Sequence, residues 1–188
     1  MRILVLPAML VALQAMALEK EDVDIREEGG VYSIRMAFDV PATVDQIESV
    51  LTDFAHPSRL SPAVTSREVL GRQDGVIRVR TEFRDCVVFF CKTMLLLHDV
   101  TSSANEVRAD VVPGESDFRQ GFLRWSIDDA GVAGSHVVFE AVMEPDFFVP
   151  PIIGGFLIRN ALRKQVLTTA RNLVREAPRE PGTGRAEQ

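Results

Sequence analysis

Val31-Tyr32-Ser33-Ile34-Arg35-Met36-Ala37-Phe38-Asp39-Val40-Pro41-Ala42-Thr43-Val44-Asp45-Gln46-Ile47 is the run whose reading decides the fold. Its first ten residues alternate. Tyr32, Ile34, Met36, Phe38 and Val40 share one side, and Ser33, Arg35 and Asp39 share the other. Period-two patterning with one wet face predicts a strand packed on one side only. Pro41 ends it. Thr43, followed three residues later by Gln46, has the pattern of a capping box. A helix is therefore expected over 44–53, with Val44, Ile47, Val50, Leu51 and Phe54 along one side. His56-Pro57 stops that helix. A second short helical turn is expected over 57–60, ended by Ser61-Pro62.

Downstream, strand follows strand. Strands are expected over 64–70, 76–83, 92–100, 106–112, 118–127 and 135–143, joined by short turns at 71–75, 113–114 and 128–134. Such short links between alternating segments argue for an antiparallel meander. Pro150-Pro151 introduces a last helix over 152–176, whose second half carries the apolar stripe Val166, Leu167, Ala170, Leu173 and Val174. The chain is thus read as α+β: a curved seven-stranded antiparallel sheet, two short helices after the first strand, and one long C-terminal helix. One helix covers such a sheet only in part. The space left between them is the expected ligand cavity.

Upstream, Met1-Arg2 precedes an apolar run over 3–13 and then Gln14-Ala15-Met16-Ala17. A charge, a short apolar core and small residues fit a signal peptide over 1–17; the run is too short to span a membrane, which needs about 20 apolar residues. Export to the periplasm or outside the cell is expected. Residues 18–30 are charged and read as a lead-in with little core. Residues 31–176 form the one domain, and 177–188, with Pro178, Pro181, Gly182 and Gly184, read as a disordered tail. The net charge of −6 falls to −7 when Arg2 leaves with the signal. An acidic chain lacks the Lys and Arg clusters that nucleic-acid binding requires.

The two cysteines, Cys86 and Cys91, stand close in sequence. A disulfide is the simplest reading in an oxidising compartment. Two free thiols, or half of a metal site, are the alternatives. None of the three histidines has metal-ligand spacing with them, and a zinc site wants four ligands. The glycines are scattered in turns, so no phosphate loop is present, and there is no Gly-x-Ser-x-Gly elbow. No metal and no cofactor are expected.

Several strings resemble the START-like, or SRPBCC, superfamily over about residues 31–176: Phe38-Asp39-Val40-Pro41-Ala42 leading to Leu51-Thr52-Asp53-Phe54, Gly121-Phe122-Leu123-Arg124-Trp125-Ser126-Ile127, Val137-Val138-Phe139-Glu140, and the terminal helix. Within it the likeness is to the coenzyme Q-binding and polyketide cyclase/dehydrase-type branch. The resemblance implies a helix-grip fold. It also implies a cavity that holds a hydrophobic, lipid-like or isoprenoid ligand without catalysis. A cyclase or dehydratase using polar cavity residues is one alternative, and an interaction module with a filled core is another.

Met36, Phe38, Phe83, Leu96, Trp125, Phe139, Met143 and Phe156 are expected near the cavity. Candidate polar anchors are His98, Arg124, Arg159 and Arg163, each with a plainer reading beside it. His98 can be a hydrogen-bonded structural histidine. Arg159 and Arg163, one turn apart, can be solvated with buried stems. Arg124 faces away from Trp125 on a strand, so it reaches the cavity only if that strand has the opposite phase. The uncharged stretch 147–158 contains Gly154 and Gly155 at a helix start. Such glycines are costly there and suggest a gate, with transient contact to a membrane surface; an ordinary buried helix start is the other reading.

Overall fold

The structure is a computed structural model that describes residues 23–87, 90–148 and 154–178. Eight strands make one antiparallel sheet: β1 (Asp24–Glu28), β2 (Val31–Val40), β3 (Val64–Gln73), β4 (Val76–Val87), β5 (Phe90–Ser103), β6 (Glu106–Val111), β7 (Phe118–Asp129) and β8 (Ser135–Pro145). Two α-helices accompany them, α1 (Val44–Leu51) and α2 (Gly154–Glu176). The strand order is β1-β2-β8-β7-β6-β5-β4-β3. From β3 to β8 each strand pairs with its successor. The join between β2 and β8 is the one made at long range.

Two expectations are corrected. The sheet has eight strands, not seven, because part of the lead-in, Asp24–Glu28, pairs with β2. Its charges sit on both faces because β1 is an edge, with only Val23 and Ile25 turned to the core. The hairpin turn is Gly29-Gly30 at φ 60° and 87°, the positive pair that a tight two-residue hairpin requires. The second correction is the helix count. Residues 57–60 form turns, with Arg59 N–H donating to the His56 carbonyl, not a second short helix. Pro57 and Pro62 leave too little chain between them for i→i+4 bonding.

The elements that were read as such form for the expected reasons. Thr43 Oγ1 accepts the Gln46 backbone N–H, and Gln46 Oε1 accepts the Thr43 N–H, so the capping box is complete. Along β2 the apolar alternation meets β8 in register, with Met36 opposite Phe139 and Phe38 opposite Val137. The two cysteines stand at the end of a hairpin, with Cys86 paired across from Cys91 and joined to it by the expected disulfide. Val166, Ala170, Leu173 and Ala177 of α2 and its C-terminal turn pack with Met36, Phe38, Ile47 and Val137 in one core. Ala177, expected at the start of a disordered tail, is fully buried there; residues 179–188 of that expected tail, the expected signal peptide over 1–17 and residues 149–153 of the apolar stretch lie outside the described residues.

Candidate functional site

A cavity of about 440 Å³ lies between the sheet and α2. That volume is in the range that takes one drug-sized ligand. Alternation on each strand turns one residue in two inward. β5 contributes Met94, Leu96, His98 and Val100, β7 Leu123 and Trp125, and β8 Phe139, Ala141 and Met143. From α2 come Ile158, Ala161, Leu162, Gln165, Val166 and Thr169, the three-and-four spacing of one helix face. Phe54, Leu60 and Ser61 close a flank between α1 and β3, and Asn172 and Gln165 tie that segment to α2 through the Leu60 carbonyl and Ser61 Oγ.

Five of the eight expected cavity residues, Phe83, Leu96, Trp125, Phe139 and Met143, line this space. Trp125 and Phe139 pack as a tilted pair with centroids 4.4 Å apart. Met36 and Phe38 do not line it: both are sealed in the solid core. Phe156 is 66 % exposed. It stands two residues from Ile158, about 200° round the helix, and so points away from the cavity.

The anchors divide likewise. His98 lines the cavity and is 7 % exposed. Burial, then the nearby Arg67 guanidinium, push its pKa down to about 4, so the imidazole is neutral at neutral pH. Arg124 is on the outer face, where it shares Glu140 with Arg35. Those bonds, Arg124 first among them, hold the Glu140 carboxyl below its ordinary range against the opposing effect of burial. Arg163 Nη2 donates to the Val23 carbonyl at 2.8 Å, and Arg159 is exposed; neither lines the cavity. The helix face turned to the cavity is centred on Leu162 and Gln165, which leaves both arginines on its flank. At the helix start, a Cβ on Gly155 would meet only the end of the Arg159 side chain, at 3.5 Å, so no close backbone approach calls for glycine there.

Several polar lining residues were missed, Arg67, Thr81, Asp85, Lys92 and Gln165 among them. Arg67 on β3 lies opposite Thr81 on β4, and Thr81 is diagonal to His98 on β5. Arg67 Nε, Thr81 Oγ1 and His98 Nδ1 are buried and have no hydrogen-bond partner among the described residues. Burial also lowers the Arg67 pKa, with Asp53 opposing, but a guanidinium stays charged at any physiological pH. Further along the same two strands, Asp85 and Lys92 pair across the hairpin just before the disulfide, and Lys92 Nζ sits 4.4 Å over the Phe147 ring. No group of three or more His, Cys, Asp or Glu side chains could hold a metal ion among the described residues.

The fold is that of known proteins. A START superfamily protein from Mycobacterium smegmatis is similar with a TM-score of 0.62 at 16% identity, covering 78% of this chain and 97% of that one. The Zhui aromatase/cyclase of a Streptomyces species has a TM-score of 0.64 at 14% identity, covering 82% and 98%. A STAR-related lipid transfer protein fragment from Xanthomonas axonopodis has 0.59 at 13% identity, covering 85% and 99%. Identities this low speak for the fold alone. No curated protein matches the chain. Residues 32–178 match the family model described as polyketide cyclase / dehydrase and lipid transport, and the chain, a START-like helix-grip protein, belongs to that family.

Proposed function

We propose that the chain holds one hydrophobic small molecule in the cavity and releases it unchanged. The observation that carries this is the cavity of about 440 Å³, lined mostly by apolar side chains. Enclosing about 400 Å² of apolar ligand surface is worth on the order of 10 kcal/mol before ordering costs. A filled-core interaction module would have no such space. Against catalysis stands the chemistry of the wall. A general base works best with a pKa near the operating pH, and that of His98 lies at about 4. Lipids extracted from protein purified from its own host and weighed by mass spectrometry should show one bound apolar species. Protein that carries nothing, or that converts the recovered species on incubation, would end this reading.

The cyclase or dehydratase reading keeps one observation in its favour: Arg67, Thr81 and His98 converge on the same wall. Conversion of the extracted ligand is the result that would select it.

Export to the periplasm or beyond is part of the proposal, supported by the Cys86–Cys91 disulfide, a bond that persists in oxidising compartments. The mass of the mature protein from its host should correspond to a chain starting at Leu18; an intact Met1 would refute it. Exposed Phe148 and Phe156 flank the helix start at Gly154. They support transient membrane contact there, with Gly154 and Gly155 as the gate. Phe156→Ser should slow ligand transfer to vesicles, and an unchanged rate would remove the membrane step.

A further inference from the structure

Buried polar atoms in folded proteins are almost always partnered. Among the described residues three side-chain atoms break that rule, and they are not scattered. Arg67, Thr81 and His98 all line the one cavity, on three adjacent strands, with Arg67 directly opposite Thr81. Directly opposed residues on one face stand roughly 5 Å apart at Cβ, and diagonal ones about 7–8 Å, so a single small group reaches all three. We infer that these residues are a head-group pocket, and that the ligand is a single-chain amphiphile ending in one carboxylate. This rests on the reading of the cavity as a ligand chamber.

The chemistry of the three donors chooses the head group. The Arg67 guanidinium offers a planar fork that matches a carboxylate. Thr81 adds a hydroxyl donor, and a neutral imidazole can donate from Nδ1; burial keeps His98 in that neutral form. The patch therefore holds one positive charge. Asp53, the carboxylate that acts on Arg67, already accepts bonds from His56 and Arg59, and no ion pair joins Arg67 to any described residue. An uncharged head would leave the guanidinium uncompensated. A phosphate monoester would bring a second negative charge that nothing here balances, because Lys92 stands opposite Asp85, four residues along β5 from Leu96, the partner of Thr81, and six from His98, about 13–20 Å away. From the patch the tail runs over Leu96 towards Trp125, Phe139 and Leu162.

Trp125 is the only tryptophan of the chain and stands in the cavity wall, so its fluorescence reads occupancy directly. Palmitate, cetyl alcohol and palmitoyl-lysophosphatidate share one chain and differ in the head. Titrated at neutral pH into the full mature protein, palmitate should bind at least about tenfold more tightly than cetyl alcohol, the margin of a charge-assisted bond. Arg67→Leu should erase that margin by weakening palmitate far more than cetyl alcohol, and Thr81→Val should reduce it several-fold. Equal affinity for palmitate and cetyl alcohol in the unmodified protein, which needs no variant to fold, overturns the head-group pocket while the chamber stands. So does an Arg67→Leu variant that weakens both ligands alike. Tighter binding of the lysophosphatidate than of palmitate overturns the carboxylate assignment. Binding of none of the three overturns the chamber itself.

Discussion

At the scale of the residue, His98 is a neutral imidazole held in an apolar wall, and that has a consequence in acid. Its pKa is about 4 in the fold against an ordinary 6.5. Above pH 6.5 both folded and unfolded chains carry it neutral, and it makes no difference to stability. As the pH falls from 6.5 to 4 the unfolded chain takes up the proton and the folded one does not, so stability is lost. The loss should reach about 3 kcal/mol. In His98→Leu, urea unfolding measured across that window should show a decline shallower by about that amount; an unchanged slope would mean that His98 titrates normally. The neighbouring Arg67 was not legible in the sequence. Strand β3 has register irregularities between Val64 and Ser66 and between Val69 and Gly71. Each resets which side chains face inward, so alternation counted along 64–70 misassigns Arg67. Leu123, Trp125 and Ile127, on a stretch of β7 without such a shift, were placed on the inner face by counting alone.

At the scale of the element, α2 does two jobs with one face. Its later turns bury Val166, Ala170 and Leu173 in the solid core, and its earlier turns present Ile158, Ala161 and Leu162 to the cavity. The stripe of the second half was readable from period 3.6. The first half was not, since it is apolar on most sides until Arg159, and that is why both arginines were drawn towards the cavity. The two halves should respond differently to substitution. Leu173→Ala removes a wholly buried side chain and should cost about 2–5 kcal/mol in stability. Ala161→Phe places a ring in empty space. It should leave the melting temperature within a few degrees of the original while sharply reducing ligand binding, read by calorimetric titration. A large loss of stability in Ala161→Phe would show that the space is not available. β1 was missed because its pattern is that of a solvated edge; the Gly29-Gly30 pair before β2 was the usable sign.

At the scale of the molecule, the disulfide clamps the far end of the β4–β5 hairpin, next to Asp85 and Lys92 in the cavity wall. Closing so short a loop contributes about 2 kcal/mol in the chain-entropy picture. A reducing agent, or Cys86→Ser with Cys91→Ser, should therefore lower the melting temperature by several degrees, as calorimetry would register, without unfolding the sheet at room temperature. No change at all would mean that the bond carries no stability. The strand order carries a different lesson. β3 to β8 can zip up hairpin by hairpin, each link local. The β2–β8 seam, by contrast, joins Tyr32 to Met143 and Phe38 to Val137, and long-range closure of this kind is slow. During synthesis, the apolar edge of β2 must wait uncovered until nearly the whole polypeptide has emerged. A nascent chain of this topology stays open for longest near its own beginning, which makes β2 the segment most in need of a chaperone.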